Sequence, residues 1–171
     1  MKFIPLERSH ISGIMDIDRL AFPEPWSKKL WIKESAQSLR SYYVAIDNCD
    51  VVGYGGGLIA ATDFHITTIA VRQTDLNRGI ASRILTELLE AAIGMGATDL
   101  TLEVRVGNLP SQALYRKFGM VPAGIRRAYY QPDNEDALIM WANDIDQSPY
   151  LEQLSSIKNH VHQVQDEVFG Y

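Results

Sequence analysis

Two stretches of this chain bring together residues able to do chemistry. The first runs Arg72-Gln73-Thr74-Asp75-Leu76-Asn77-Arg78-Gly79-Ile80-Ala81-Ser82 and follows an apolar, β-branched segment. A strand that turns into a helix at this point directs unpaired N–H groups outward, where they can hold phosphate oxygens. Gly79 permits close approach, Ala81 adds little bulk, and Arg78 can add a charge-assisted contact. The run is neither a P-loop nor a complete G-x-G-x-x-G fingerprint, so it selects no particular phosphate ligand, and ordinary helix capping explains it too. The second stretch is Leu100-Thr101-Leu102-Glu103-Val104-Arg105. Its alternation places the Glu103 carboxylate opposite Leu102 and Val104, on the polar face of a strand. There it can act as a general base, or be a solvated carboxylate paired with Arg105. His10 and His65 stand alone in the sequence, with no triad and no metal set around them.

The elements that position these residues follow from periodicity. Lys2 to Glu7 reads as a first strand, and Ser9 to Leu20 as a helix capped by Ser9, with Ile11, Ile14, Met15, Ile17 and Leu20 at helical spacing. Phe22-Pro23-Glu24-Pro25-Trp26-Ser27 is a shaped loop whose two aromatics anchor it or complete the core. A second helix starts near Ser27. Ser41 to Asp47 and Val51 to Ala61 pair across the turn Asn48-Cys49-Asp50, and glycines in the second strand permit a bulge. His65 to Val71 is another strand, and Gly79 to Ile93 a long helix with a broad apolar face. After the Glu103 strand come a short helix through Leu109 to Phe118 and two strands, Val121 to Tyr130 and Asp136 to Ala142. This succession predicts one α/β domain over residues 1–145, a mixed sheet flanked by helices. Residues 146–171 form an amphipathic helical extension with Leu151, Leu154, Ile157, Val161, Val164 and Val168 in its stripe and Gly170 near its end. That stripe is expected to dock on the domain or on a second copy, giving a monomer or weak homodimer.

Composition narrows the class. A chain of 171 residues can bury roughly two-thirds of its unfolded surface without metals or crosslinks, and its single cysteine, Cys49, allows no internal disulfide. The formal charge of −5 disfavours nonspecific adhesion to nucleic acid. The opening residues carry no sustained apolar stretch and no long apolar run follows, so neither a signal peptide nor a membrane span is read, and a cytoplasmic location is expected.

Ile69-Ala70-Val71 followed by Leu76-Asn77-Arg78-Gly79-Ile80-Ala81 resembles the acetyl-CoA-binding strand and pyrophosphate loop of the GCN5-related N-acetyltransferase superfamily. Gly79 and Ala81 match the small positions of that loop, and Leu76 replaces its usual polar first residue. The resemblance continues through Thr101 to Arg105, Asn108, Leu114-Tyr115, Arg126-Arg127-Ala128-Tyr129-Tyr130 and Glu135 to Met140. It is strongest to the branch that acetylates the N-terminal alanine of ribosomal proteins.

The resemblance implies a single-domain fold whose sheet splays near Val71 and Arg105, with acetyl-CoA as the donor and no metal. It implies that Ile69, Ala70 and Val71 contact the cofactor through their backbone. Asn77, Arg78, Gly79, Ile80, Ala81 and Ser82 would surround the pyrophosphate, and Asn108 would add a side-chain hydrogen bond. Glu103 would take a proton from the amine and Tyr115 would give one to the departing thiolate. Phe22, Trp26, Tyr129 and Tyr130 would line the peptide side of the cleft, with the tyrosine hydroxyls meeting peptide polar groups. The implied partner is a protein N-terminal peptide, such as that of a small ribosomal-subunit protein; acetylation of a small-molecule amine, or a noncatalytic acetyl-CoA-binding role, is the alternative.

Overall fold

The computed structural model describes residues 1–169, and their side chains as far as residue 160. Seven strands form one sheet: β1 (Lys2–Pro5), β2 (Arg40–Asp47), β3 (Asp50–Ala60), β4 (Asp63–Val71), β5 (Asp99–Arg105), β6 (Val121–Tyr130) and β7 (Glu135–Ala142). Their order is β1-β2-β3-β4-β5-β7-β6, and every pairing is antiparallel except β4 with β5. The helices are α1 (Ile11–Ala21), α2 (Lys28–Ser35), α3 (Ile80–Gly94), α4 (Leu109–Lys117) and α5 (Ser148–Phe169).

Alternation along the strands builds two cores, one on each face. Phe64, Ile66, Leu100, Leu102 and Val104 meet Ile80, Ile84, Leu85, Leu88 and Leu89 of α3. Each of these large apolar side chains contributes about 1.5–3 kcal/mol by leaving water. On the other face Tyr42, Val44, Tyr54 and Ala70 meet Ile11, Ile14 and Ile17 of α1 and Trp31 of α2. A Cβ at Gly56 would overlap the Tyr42 ring, so the glycine-rich strand lets the aromatic lie flat on the sheet. The expected bulge is present between Gly56 and Gly57, opposite Thr67.

The first helix begins differently from the sequence reading. Ser9 does not cap it; a 3-10 turn over Arg8–His10 precedes α1, and Glu7 and His10 bond reciprocally, with Glu7 N–H donating to His10 Nδ1 at 3.1 Å. A box with two bonds outcompetes a single serine cap. Ser27 does cap α2, accepting from Leu30 N–H at 3.2 Å. In α5, Leu154 is buried and Tyr150 and Ile157 pack on the α3 core, so this part of the stripe docks on the domain itself. The Tyr150 hydroxyl donates to Phe118 O, Gln153 Nε2 to Lys117 O, and Lys158 Nζ pairs with Glu90 at 2.7 Å. The side chains of Val161, Val164 and Val168, and Gly170 altogether, lie outside the described residues.

Candidate active site

The parallel pair β4–β5 stops half-way. Register runs from Asp63↔Asp99 to Ile66↔Leu102, and beyond it both strands continue apart, β4 to Val71 and β5 to Arg105. The gap opens into a cavity of about 590 Å³. Ile66 to Ile69 and Leu102 to Arg105 form its floor, the α1–α2 loop with Phe22 and Trp26 one wall, and Tyr129 and Tyr130 another. Asn108 and Tyr115 line it from the α4 side. The residues singled out as base, acid and peptide contacts therefore meet in one place.

Glu103 enters this cavity as alternation predicts, but its surroundings differ from a solvated strand carboxylate. Its side chain is only 8% exposed. His65 Nε2 lies 3.0 Å from Oε2, and Arg126 Nη2 reaches across β7 to within 3.2 Å of Oε1. Arg105 is not its partner; it binds Glu135 at 2.6 Å and Asp133 at 2.8 Å, and lies over the Tyr130 ring at 4.5 Å. The reason is the longer reach from β5 to the β6–β7 hairpin, which offers Arg105 two carboxylates at once. Arg105 holds the Glu135 carboxyl below its usual range, helped by the Gly107 N–H. His65, which stands alone in the sequence, is thus a site residue that the sequence does not reveal.

Tyr115 is buried at 5% exposure, and burial pushes its phenol above its ordinary range, with Tyr130 adding to the shift. The Tyr130 hydroxyl is engaged within the fold. It donates to the backbone carbonyl of Glu103 at 3.0 Å, and burial pushes its phenol up to about 12, with Tyr129 and Glu103 contributing. Tyr129 is exposed and meets the Tyr130 ring edge-on at 5.1 Å. Asn108 caps α4, its Oδ1 accepting from Ser111 N–H at 3.1 Å, so the carbonyl half of that amide is already engaged. Trp26 packs on Trp31 at 4.8 Å and Phe22 is exposed. Both readings of this loop hold together, because it completes the core and faces the cavity.

A buried carboxylate that the sequence did not advertise stands behind that loop. Asp18, 2% exposed, accepts from Trp31 Nε1 at 2.9 Å and from the Tyr54 hydroxyl. Burial first, then this bond, pushes the Tyr54 phenol well above its ordinary range. The arrangement fixes α1, α2 and β3 to one another just before the chain enters the Phe22–Trp26 wall.

The loop after β4 lies apart from the cavity lining. Asn77 and Gly79 both have positive φ, +62° and +74°, and open space surrounds the position a Cβ of Gly79 would take. Gly79 begins α3 without a side-chain cap, leaving the N–H groups of Ile80, Ala81 and Ser82 without helical partners. Together with the unpaired β4 edge from Ile69 to Val71, these donors fit a pyrophosphate joined to an extended arm. The Arg78 guanidinium pairs with Asp75 and with Asp47 at 3.1 Å. Asp75, 3% exposed, also accepts from Arg72 Nε at 2.5 Å and Thr74 Oγ1 at 3.0 Å. Burial raises the Asp75 carboxyl, but Arg72, Thr74 and Arg78 outweigh it and hold it below its usual range.

A splayed sheet, an uncapped helix start and a buried carboxylate at the split form one site, and comparison with known proteins gives its class as an acetyltransferase. The model of the Acetyltransferase (GNAT) family matches residues 11–120, and the chain belongs to that family. Acetyltransferases of this family use acetyl-CoA. The chain is 36% identical over 132 residues to a Bacillus subtilis protein assigned as a ribosomal protein bS18-alanine N-acetyltransferase, covering 77% of this chain and 87% of that one. It is 36% identical over 121 residues to the N-alpha-acetyltransferase RimI of Mycobacterium tuberculosis, covering 68% and 75%. The crystal structure of the ribosomal-protein-S18-alanine N-acetyltransferase from Escherichia coli superposes with a TM-score of 0.76 at 26% identity, covering 84% of this chain and 93% of that one.

Proposed function

We propose that this protein transfers acetyl from acetyl-CoA to the α-amine of a protein N-terminus, and that its substrate is the N-terminal alanine of a small ribosomal-subunit protein. The observation that carries the reading is the position of Glu103, a buried carboxylate in the cavity where β4 and β5 part. The names of the relatives from Bacillus subtilis and Escherichia coli supply the substrate class. Acetyl-CoA brings the activated thioester carbonyl; the chain's own residues do the rest. The N–H groups of Gly79 to Ser82 and of Asn77 hold pyrophosphate, the edge of Ile69 to Val71 lies along the arm, and the amide NH₂ of Asn108 remains available to it. Arg78 acts indirectly, by fixing the loop through Asp75 and Asp47.

Glu103 takes a proton from the substrate ammonium, directly or through a water. The freed nitrogen lone pair attacks the carbonyl carbon, the C–N bond forms, the C–S bond breaks, and the second proton released by the nitrogen goes to the departing sulfur. An α-amine has a reference pKa near 8 and a lysine near 10.4, so neutralising a lysine would cost about 3 kcal/mol more at one pH. A carboxylate base suits the former. Tyr115 holds its proton firmly, because burial makes its phenol a weaker acid than a thiol of pKa about 8.5. It therefore stabilises the departing sulfur as a hydrogen-bond donor and keeps its own proton, the thiolate taking the second proton that the nitrogen loses. Phe22, Trp26 and Tyr129 enclose the first residue of the peptide, and Tyr130 positions the wall by holding the Glu103 carbonyl.

Incubating the protein with acetyl-CoA, an Ala-starting peptide, its N-terminally blocked form and a panel of small amines tests the proposal. A mass gain of one acetyl on the free peptide alone is expected. Transfer confined to small amines, or tight acetyl-CoA binding with no transfer to any amine, overturns it.

A further inference from the structure

Glu103 is buried, yet one of the two groups that cover it is not. Arg126 contacts Oε1 at 3.2 Å while its own side chain is 55% exposed, so a solvent-facing guanidinium roofs an otherwise enclosed carboxylate. The backbone that carries it is released from the sheet at this point. From Gly124↔Ile139 the β6–β7 register holds as far as Arg126↔Ala137, resumes only at Tyr130↔Glu135, and between them Ala128 turns to φ +48°. Asp136 pins the resulting bulge, accepting from Ala128 N–H at 2.8 Å and from Arg127 Nη1 at 2.7 Å. Arg127 is thus spent on the bulge, whereas Arg126 is left to Glu103. The same guanidinium already lies 5.5 Å from the centre of the Tyr129 ring, which holds it independently of Glu103.

We infer that Arg126 is a displaceable counter-ion that occupies, on Glu103, the place of the incoming substrate ammonium, and so sets the cationic charge the site tolerates. The inference rests on the reading of Glu103 as the base. Both a guanidinium and an α-ammonium are cations with several N–H donors, and Glu103 Oε1 offers them the same acceptor. With Oε2 already facing His65, the two cations compete for one oxygen. On displacement from Oε1, Arg126 keeps its contact with the Tyr129 ring and stays in the neighbourhood, and its residual charge opposes a substrate nitrogen that keeps its proton. The site therefore holds an ammonium weakly and a neutral amine without penalty, which favours amines that deprotonate readily.

A peptide whose N-terminal alanine is dimethylated tests this, because its nitrogen protonates but cannot become the acetylated product. Its Kd for the acetyl-CoA-loaded protein is measured by calorimetry for wild type, Arg126→Gln, Arg126→Lys and Arg127→Gln. Removing a part-exposed ion-pair competitor should tighten binding about threefold to fivefold in Arg126→Gln. Arg126→Lys should return the Kd toward wild type, and Arg127→Gln, which touches only the bulge, should stay within about twofold of it. An unchanged or weaker Kd in Arg126→Gln overturns the inference and makes Arg126 a plain supporting contact, as does equal tightening in Arg127→Gln. Acetyl transfer to the unmodified peptide is followed in parallel: its absence in wild type counts against the reading of the site, while the Kd comparison still reports on Arg126.

Discussion

Asp75→Asn isolates the part of the phosphate loop that electrostatics holds together. The side chain is nearly isosteric and stays polar, so what is lost is one negative charge among Arg72, Arg78 and Thr74. Breaking a fully buried pair costs about 3–5 kcal/mol. Two features reduce that here. Arg72 is 39% exposed and Arg78 26%, and each retains a second carboxylate, Asp50 at 3.7 Å and Asp47 at 3.1 Å. About 2 kcal/mol is the resulting expectation, which for a chain of this length lowers Tm by about 4–8 °C. Because the same contacts fix Asn77 and Gly79 in left-handed backbone, acetyl-CoA affinity should fall with stability, by about tenfold in calorimetry. The pH signature is separable. A carboxyl held below its usual value in the folded protein stabilises fully above the unfolded pKa of about 3.8, and that contribution disappears as pH falls through the lower folded value. Wild type should therefore lose this increment in acid below about pH 4, and the variant should not. A variant with unchanged Tm and unchanged acetyl-CoA affinity would refute the claim that Asp75 organises the loop.

Three substitutions address the cavity. Glu103→Gln should lower the single-turnover transfer rate about 100-fold or more while acetyl-CoA binding stays near wild type, and a normal rate would remove Glu103 from the mechanism. Tyr115→Phe deletes a buried hydroxyl without changing shape; a loss of about tenfold in transfer rate is expected, and a wild-type rate in rapid-quench measurements would make Tyr115 a packing residue. His65→Ala removes the group facing Glu103 Oε2 and should cost about tenfold in kcat with little change in acetyl-CoA affinity. Partial recovery in His65→Gln, whose amide can also donate, distinguishes orientation of the carboxylate from simple filling of space.

What could be read ahead of the structure was whatever has a local period or a local motif. The alternation of Leu100 to Arg105 identified the face on which Glu103 stands, and the helix after Gly79 followed from its apolar spacing. The partners of Glu103 were illegible because they depend on register between distant segments. His65 is placed by the parallel pairing of β4 with β5, and Arg126 by a bulge in a strand separated from Glu103 by β7. Asp18 was invisible for the same reason, since nothing in its own helix reveals that Trp31 and Tyr54 converge on it. Ser9 shows the opposite failure, in which a correct local preference lost to a better local competitor. The hydroxyl of Tyr130 and the guanidinium of Arg78, which the resemblance directs at ligands, also bond to the protein's own framework, through partners that sequence does not reveal.

The early end of the β4–β5 ladder divides the sheet into two half-sheets, β1 to β4 and β5 to β7, that share only the four register pairs from Asp63↔Asp99 to Ile66↔Leu102. Beyond those pairs the amide groups that would have zipped the halves together are left for whatever lies between them. A ligand bridging that gap acts as a clasp, and its release frees a hinge. Slow amide exchange should consequently spread from Ile66 toward Val71 when the gap is filled and retreat when it empties, so that occupancy of the cleft is written into the rigidity of the whole sheet.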